Sequence, residues 1–226
     1  MTRRSIAKPA PARRGPTPRG ISSPPGSAPG AVASSGAGRG PGAAESLGAP
    51  LPPERLAYAR DRVRAIPDFP QPGILFRDIT PLLADPKAFH MVIDAFVERF
   101  IGHSVDAVVA IDSRGFIFGA PLASRLNTAF VPARKPGKLP AETLSVEYGL
   151  EYGRASLEMH KDALADGASV IVIDDLLATG GTSAAAGELV LALGARVLAY
   201  AFVVELEALQ GRAKLEPVPV VSLIRY

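Results

Sequence analysis

Apolar residues are spread unevenly along the chain, and their spacing changes from one segment to the next. Phe89, Val92, Ile93, Phe96, Val97 and Phe100 recur at three- and four-residue steps, which predicts one buried face of a helix, with Asp85 as its N-cap. Ala107–Ile111 and Val170–Ile173 are instead unbroken apolar runs of strand length, the signature of strands covered on both faces. Thr128–Ala133, Arg196–Val204 and the stretch near Val218–Ile224 read as further strands, and Ile74–Ile79 as a short one. Leu144–Tyr152 and Arg154–Met159 flank a glycine and read as a hairpin. Helices are predicted over Glu54–Ile66, ended by Pro67 and Pro70, from an Asp-Ser-Arg-Gly turn to about Leu126, over Thr182–Leu193, and near Glu205–Leu215. Alternation of strands and helices predicts an α/β fold, a central parallel sheet flanked by helices. In such sheets ligands bind at the carboxyl ends of the strands, where the strand order reverses. Two polar stretches, Asp112-Ser113-Arg114-Gly115 and Asp174-Asp175, fall at such ends.

The first 53 residues break this pattern. They are dense in Pro, Gly, Ala and Ser, show no apolar period, and bury too little to offset chain entropy, so they read as a disordered tail ahead of a 54–226 domain. They also hold seven Arg/Lys against the single acid Glu45, so a tail of +6 precedes a body of −3 in a chain of net charge +3. The reading is of a cytoplasmic protein whose tail is a linker or an over-long start. Organelle targeting is the alternative, for an Arg-rich, acid-poor terminus has that look but lacks an amphipathic helix. The scattered charges carry no aromatic residues and no helix-turn-helix pattern, which speaks against a nucleic-acid partner. No apolar run approaches the roughly 20 residues needed to cross a bilayer, so no membrane partner is expected either. With no cysteine in its 226 residues, the chain has neither disulfides nor thiolate chemistry.

The chemistry concentrates in "VIVIDDLLATGGTSAAA", residues 170–186. Glycines let backbone N–H groups turn inward, and the partial positive charge of a helix N-terminus favours an anion there. Ala178, Thr179, Gly180, Gly181 and Thr182 therefore read as a phosphate loop, with the hydroxyls of Thr179, Thr182 and Ser183 as added donors. The loop lacks the lysine of a nucleoside-triphosphate P-loop and the spacing of a dinucleotide loop. Paired carboxylates just upstream suit the adjacent hydroxyls of a sugar. A phosphate beside a diol describes a ribose 5-phosphate.

That stretch resembles the phosphoribosyl pyrophosphate (PRPP) signature of the type I phosphoribosyltransferase family, and the body from about Leu56 to Tyr226 resembles its adenine-using branch. "FPQPGILFRDITPLL" (Phe69–Leu83), "DSRGFIFGAPLA" (Asp112–Ala123), "RKPGKLP" (Arg134–Pro140), "LEYGRASLEMHKDAL" (Leu150–Leu164) and "VIDDLLATGGT" (Val172–Thr182) stand in the family's order. The resemblance implies a small hood, roughly residues 54–84, over the base, and transfer of a phosphoribosyl group from PRPP to adenine. It implies that Asp174 and Asp175 hold the ribose, that Arg114 lies in the pyrophosphate loop, and that Arg134, Lys135 and Lys138 help bind PRPP. It implies an adenine site at Leu75, Phe76, Arg77 and Leu176, Mg²⁺ carried mainly by PRPP and water without a dedicated cage, and a homodimer. In "VEYGLEYG" the family's Glu-Tyr-Gly pattern fits Glu151, since Arg154-Ala155 follows, and makes Glu151 the expected proton-handling residue; Glu147 in the other half of the repeat competes for the role. Two rivals remain: hypoxanthine or xanthine as the acceptor base, and a non-catalytic PRPP sensor acting on transcription.

Overall fold

A five-stranded sheet carries the core, and its three inner strands are buried on both faces. The computed structural model describes residue 47, residues 52–150 and residues 153–226, all within one unit spanning Ala44–Tyr226. The basic tail, apart from residues 47, 52 and 53, and Glu151 lie outside the described residues. In chain order the elements are α1 (Pro53–Arg60), β1 (Arg64–Pro67), β2 (Leu75–Asp78), α2 (Thr80–Ala84), α3 (Pro86–Phe100), β3 (Ala107–Ile111), α4 (Gly115–Leu126) and β4 (Ala129–Ala133). There follow β5 (Thr143–Leu150), β6 (Gly153–His160), β7 (Ser169–Leu177), α5 (Gly181–Ala192), β8 (Arg196–Glu205), two short 3-10 turns and β9 (Val220–Arg225).

The central sheet has the order β4-β3-β7-β8-β9, and all its pairings are parallel. Because side chains alternate across a strand, successive β7 residues enter different cores. Ile171 and Ile173 pack with Phe96 of α3 and with Phe118 and Leu122 of α4. Val170 and Val172 pack with Leu189 and Val190 of α5 and with Leu157 and Met159 of the β5–β6 hairpin. Each fully buried Phe or Leu stabilises the fold by about 1.5–3 kcal/mol. Asp85 caps α3 as expected, its side chain accepting from the N–H groups of Lys87 and Ala88; such a cap contributes about 1 kcal/mol. Among the described residues no helix is long and apolar enough to cross a membrane.

Three elements depart from the sequence reading. The helix expected over Glu54–Ile66 ends at Arg60, and Arg64–Pro67 is instead a strand paired antiparallel with β2. The pairing sets Ile66 opposite Phe76, and Arg64 forms an ion pair with Asp78 at 2.8 Å. Cross-strand partners distant in sequence thus override the local helical spacing. The helix expected near Glu205–Leu215 is two 3-10 turns, Glu207–Leu209 and Gly211–Leu215, split by Gln210 at φ 50°. Glu205 itself belongs to β8. Finally, β7 runs on past Ile173 to Leu177, so Asp174 and Asp175 are borne by the strand itself.

Candidate active site

Strand order fixes where a ligand site forms. From β3 the chain crosses through α4 to β4 on one side, and from β7 it crosses through α5 to β8 on the other. Neighbouring β3 and β7 therefore send their loops apart, and a crevice opens at their carboxyl ends. Asp112–Arg114 leaves β3 into that crevice, and Ala178–Gly180 leaves β7 into it.

The two loops meet through a glycine. A Cβ on Gly115 would lie 2.7 Å from the Ile173 carbonyl oxygen and 3.2 Å from Asp174 Oδ1, so only glycine lets the start of α4 lie this close to β7. One turn later Gly119 faces Ala110 and Ile173 with equally little room. This close approach brings Arg114 Nη1 to 3.0 Å from Asp175 Oδ2. Asp175 is only 3% exposed, and its Oδ2 has the arginine near it without the alignment of a hydrogen bond. Beside it, the Asp175 N–H donates to Asp174 Oδ1 at 2.8 Å. Burial, and then the adjacent Asp175 carboxylate, push Asp174 well above the ordinary carboxylate range. Burial raises Asp175 as well, with Arg114 opposing it. A buried carboxylate and a half-buried one, held side by side against one cation, form a site that gains from any further positive charge or hydroxyl donor.

Past β7 the chain turns through Gly180 at φ 79° into α5, whose first residue is Gly181. Thr179, Gly181 and Thr182 are partly exposed around this turn, whereas Ser183 is buried at 4% exposure. The N–H groups at the start of this 12-residue helix present the partial positive charge expected of an anion site. The β5–β6 hairpin lies across it: a Cβ on Gly181 would meet the Gly149 carbonyl oxygen at 3.5 Å and the Tyr148 ring at 3.8 Å. Glu147 is exposed and lies 3.5 Å from Arg154.

The expected basic cluster divides. Arg134 Nε donates to Asp112 Oδ2 at 3.0 Å and its Nη1 to the Lys138 carbonyl at 3.2 Å, so Arg134 ties the β4 exit to the β3 loop. Lys135 and Lys138 are exposed beside it. Of the residues expected at the base, Leu75 is 49% exposed, and Phe76 stacks edge-on against Phe69 at 5.1 Å. The Arg77 guanidinium lies 3.8 Å from the centre of the Tyr226 ring. Tyr226 follows β9, and its N–H donates to the Glu205 carbonyl at the end of β8. That stack joins β2 to the carboxyl edge of the sheet, and Leu176 packs against the same core cluster as Tyr226. Sequence reading missed Tyr226 and Gly119. The one available signal was Gly119, a second small residue four positions after Gly115 on the same helix face.

The phosphoribosyl transferase domain family matches residues 82–222 of the chain. An adenine phosphoribosyltransferase of Sorangium cellulosum is 56% identical over 182 residues, covering 78% of this chain and 91% of the relative. The chain belongs to the adenine phosphoribosyltransferase family. A crystal structure of the family member from Thermoanaerobacter pseudethanolicus superposes with a TM-score of 0.74 at 53% identity, covering 76% of this chain and 99% of that one. The Saccharomyces cerevisiae family member, solved with adenine and an imino-altritol bisphosphate, gives 0.72 at 44% identity, with coverage of 75% and 98%. This membership agrees with the parallel sheet, the acidic strand end and the glycine turn described above.

Proposed function

We propose that the crevice between β3 and β7 is where this enzyme of purine salvage transfers the 5-phosphoribosyl group of PRPP to adenine, giving AMP and pyrophosphate. The observation that carries the proposal is the Asp174–Asp175 pair, the first half-buried and the second buried, set between Arg114 and the left-handed Gly180 turn that opens α5. The turn from Ala178 to Thr182 takes the 5-phosphate on its N–H groups and threonine hydroxyls. Asp174 and Asp175 accept from the ribose hydroxyls. Arg114, with Lys135 and Lys138, faces the leaving pyrophosphate, where a guanidinium can grip two oxygens at once. Arg134 joins them indirectly, through the loop it ties.

Adenine lies under the β1–β2 hood, with Leu75, Phe76 and Leu176 against its faces and the backbone about Arg77 reading its edge. The yeast family member solved with adenine supports a base site of this kind. A purine nitrogen attacks the anomeric carbon as the carbon–oxygen bond to pyrophosphate breaks, and positive charge develops on the sugar and the base. Glu151 takes up the proton released by the base. Closure of the β5–β6 hairpin excludes water that would otherwise hydrolyse PRPP.

The donor set near the crevice suits Mg²⁺: Asp174 and Asp175 offer carboxylate oxygens, and this ion prefers oxygen and keeps several waters. When bound, Mg²⁺ neutralises charge on the pyrophosphate. Homodimeric assembly and a cytoplasmic location belong to the same proposal. Incubation with PRPP, Mg²⁺ and each of adenine, hypoxanthine and xanthine, followed by assay of pyrophosphate, tests it. Release with adenine alone is expected. Release with an oxo-purine, or none with any base, overturns it.

A further inference from the structure

Behind the glycine turn stands a second backbone. A Cβ on Gly180 would run into the carbonyl oxygen of Gly211, and a Cβ on Gly211 would run into the carbonyl oxygen of Ala178 and come within 2.9 Å of the Gly180 nitrogen. The two segments lie against each other with no room for a side chain on either.

Gly211 is held there from outside the crevice. Arg212 forks onto the buried Glu205, with Nη2 at 2.5 Å from Oε2 and Nε at 3.0 Å from Oε1, and its Nη1 donates to the Val220 carbonyl at 2.8 Å. Leu206 N–H donates to the Leu177 carbonyl at 2.9 Å, fixing the start of this segment to the end of β7. Glu205 is 5% exposed. Burying an ion pair costs enough desolvation that an apolar pair is often as stable, so the pair is weak evidence of stabilisation alone. What it secures is position: a rigid fork sets Arg212, and with it the backbone of Gly211 one residue away.

We propose that Gly211 and Arg212 are positioning residues for PRPP, holding the Ala178–Gly181 backbone in the shape that receives the 5-phosphate. The inference rests on the reading that this turn is the phosphate site. One side of the turn is then fixed by Gly211, and the other faces the hairpin at Tyr148 and Gly149. Neither Gly211 nor Arg212 touches substrate, so their loss acts on one end of PRPP. A glycine turn left unsupported points its N–H groups inconsistently and binds phosphate less well, whereas the Arg114 loop keeps its own anchor on β7.

The test titrates the full-length protein calorimetrically with ribose 5-phosphate and, separately, with Mg²⁺-pyrophosphate. The variants are Arg212→Gln, Arg212→Lys, Gly211→Ala and, as a direct contact, Thr182→Ala. Arg212→Gln and Gly211→Ala are expected to weaken ribose 5-phosphate about tenfold or more, the scale of a lost hydrogen bond to a charged group. Pyrophosphate binding should hold within about twofold, and the PRPP KM should rise with kcat little changed, as when binding common to ground and transition states is lost. Arg212→Lys should recover part of the loss, since charge returns without the fork. Should Gly211→Ala fail to fold, the two Arg212 variants decide the matter, and normal pyrophosphate binding certifies their fold. Unchanged ribose 5-phosphate binding in folded Arg212→Gln, or equal losses of both ligands, overturns the proposal while Thr182→Ala still weakens ribose 5-phosphate. If Thr182→Ala has no effect either, the phosphate-site reading itself fails and the proposal falls with it.

Discussion

Asp174 is the residue whose cost to the fold is clearest. Its carboxyl is raised by burial and by Asp175, so between the unfolded value of about 3.9 and the higher folded value the folded chain binds more protons than the unfolded one. Stability therefore falls as pH rises through that window, and the whole penalty is in place above it. Asp174→Asn keeps an oxygen to accept from the Asp175 N–H and removes the charge. It is expected to raise Tm at pH 7.5 by a few degrees, since each kcal/mol moves Tm by about 2–4 °C at this chain length. The gain should vanish near pH 4, while kcat/KM falls about ten- to a hundredfold through the lost ribose contact. Scanning calorimetry across pH, with initial rates, checks both halves; a lower Tm at neutral pH would mean that the carboxylate stabilises the fold. The pair was legible in sequence because two adjacent acids at the end of an apolar run are hard to explain as caps. Gly211 and Arg212 were not legible, because their meaning lies in the contact of Gly211 with residues some thirty positions away.

At the scale of elements, long periodic segments could be read and short ones could not. The apolar stripe of α3 and the runs of β3 and β7 carry enough residues to declare their period. Arg64–Pro67 carries only four, and its conformation is decided by β2, which no local window contains. Gln210 likewise splits a helix-like stretch by adopting a left-handed backbone that its sequence does not demand. In the proposed mechanism the hairpin is the element on which the chemistry of the base turns. Residues four apart on a strand share a face, so the repeat alone does not separate Glu147 from Glu151. Glu147 is exposed and lies near Arg154; the proposal of Glu151 as proton acceptor rests on the resemblance of Glu151-Tyr152-Gly153 to the family's pattern. Glu151→Gln should lower kcat by about 10²–10⁴, the usual range for general acid–base catalysis, with PRPP binding near normal. Glu147→Gln should do far less. Single-turnover rates of the two variants decide it, and a large loss from Glu147→Gln alone would reverse the assignment.

At the scale of the whole molecule, the body supplies every residue assigned a role, and the tail supplies none. Deleting residues 1–50 is expected to leave kcat/KM for adenine unchanged, and a tenfold loss in the folded, truncated protein would give the tail a catalytic or structural part. The body's crevice has a further consequence. In the proposed reading its pyrophosphate arm leaves β3 and its ribose and phosphate arm leaves β7, strands joined through the pairing of Ala107–Ala110 with Val170–Ile173. A chain in which those strands have not paired owns neither half of the site in usable form. PRPP thus binds the folded state alone, and at a hundred times its dissociation constant it adds about 2.7 kcal/mol against unfolding. Where cleavage proceeds through the opened chain, that shift in population is also the measure of how far bound substrate shields the enzyme from proteolysis.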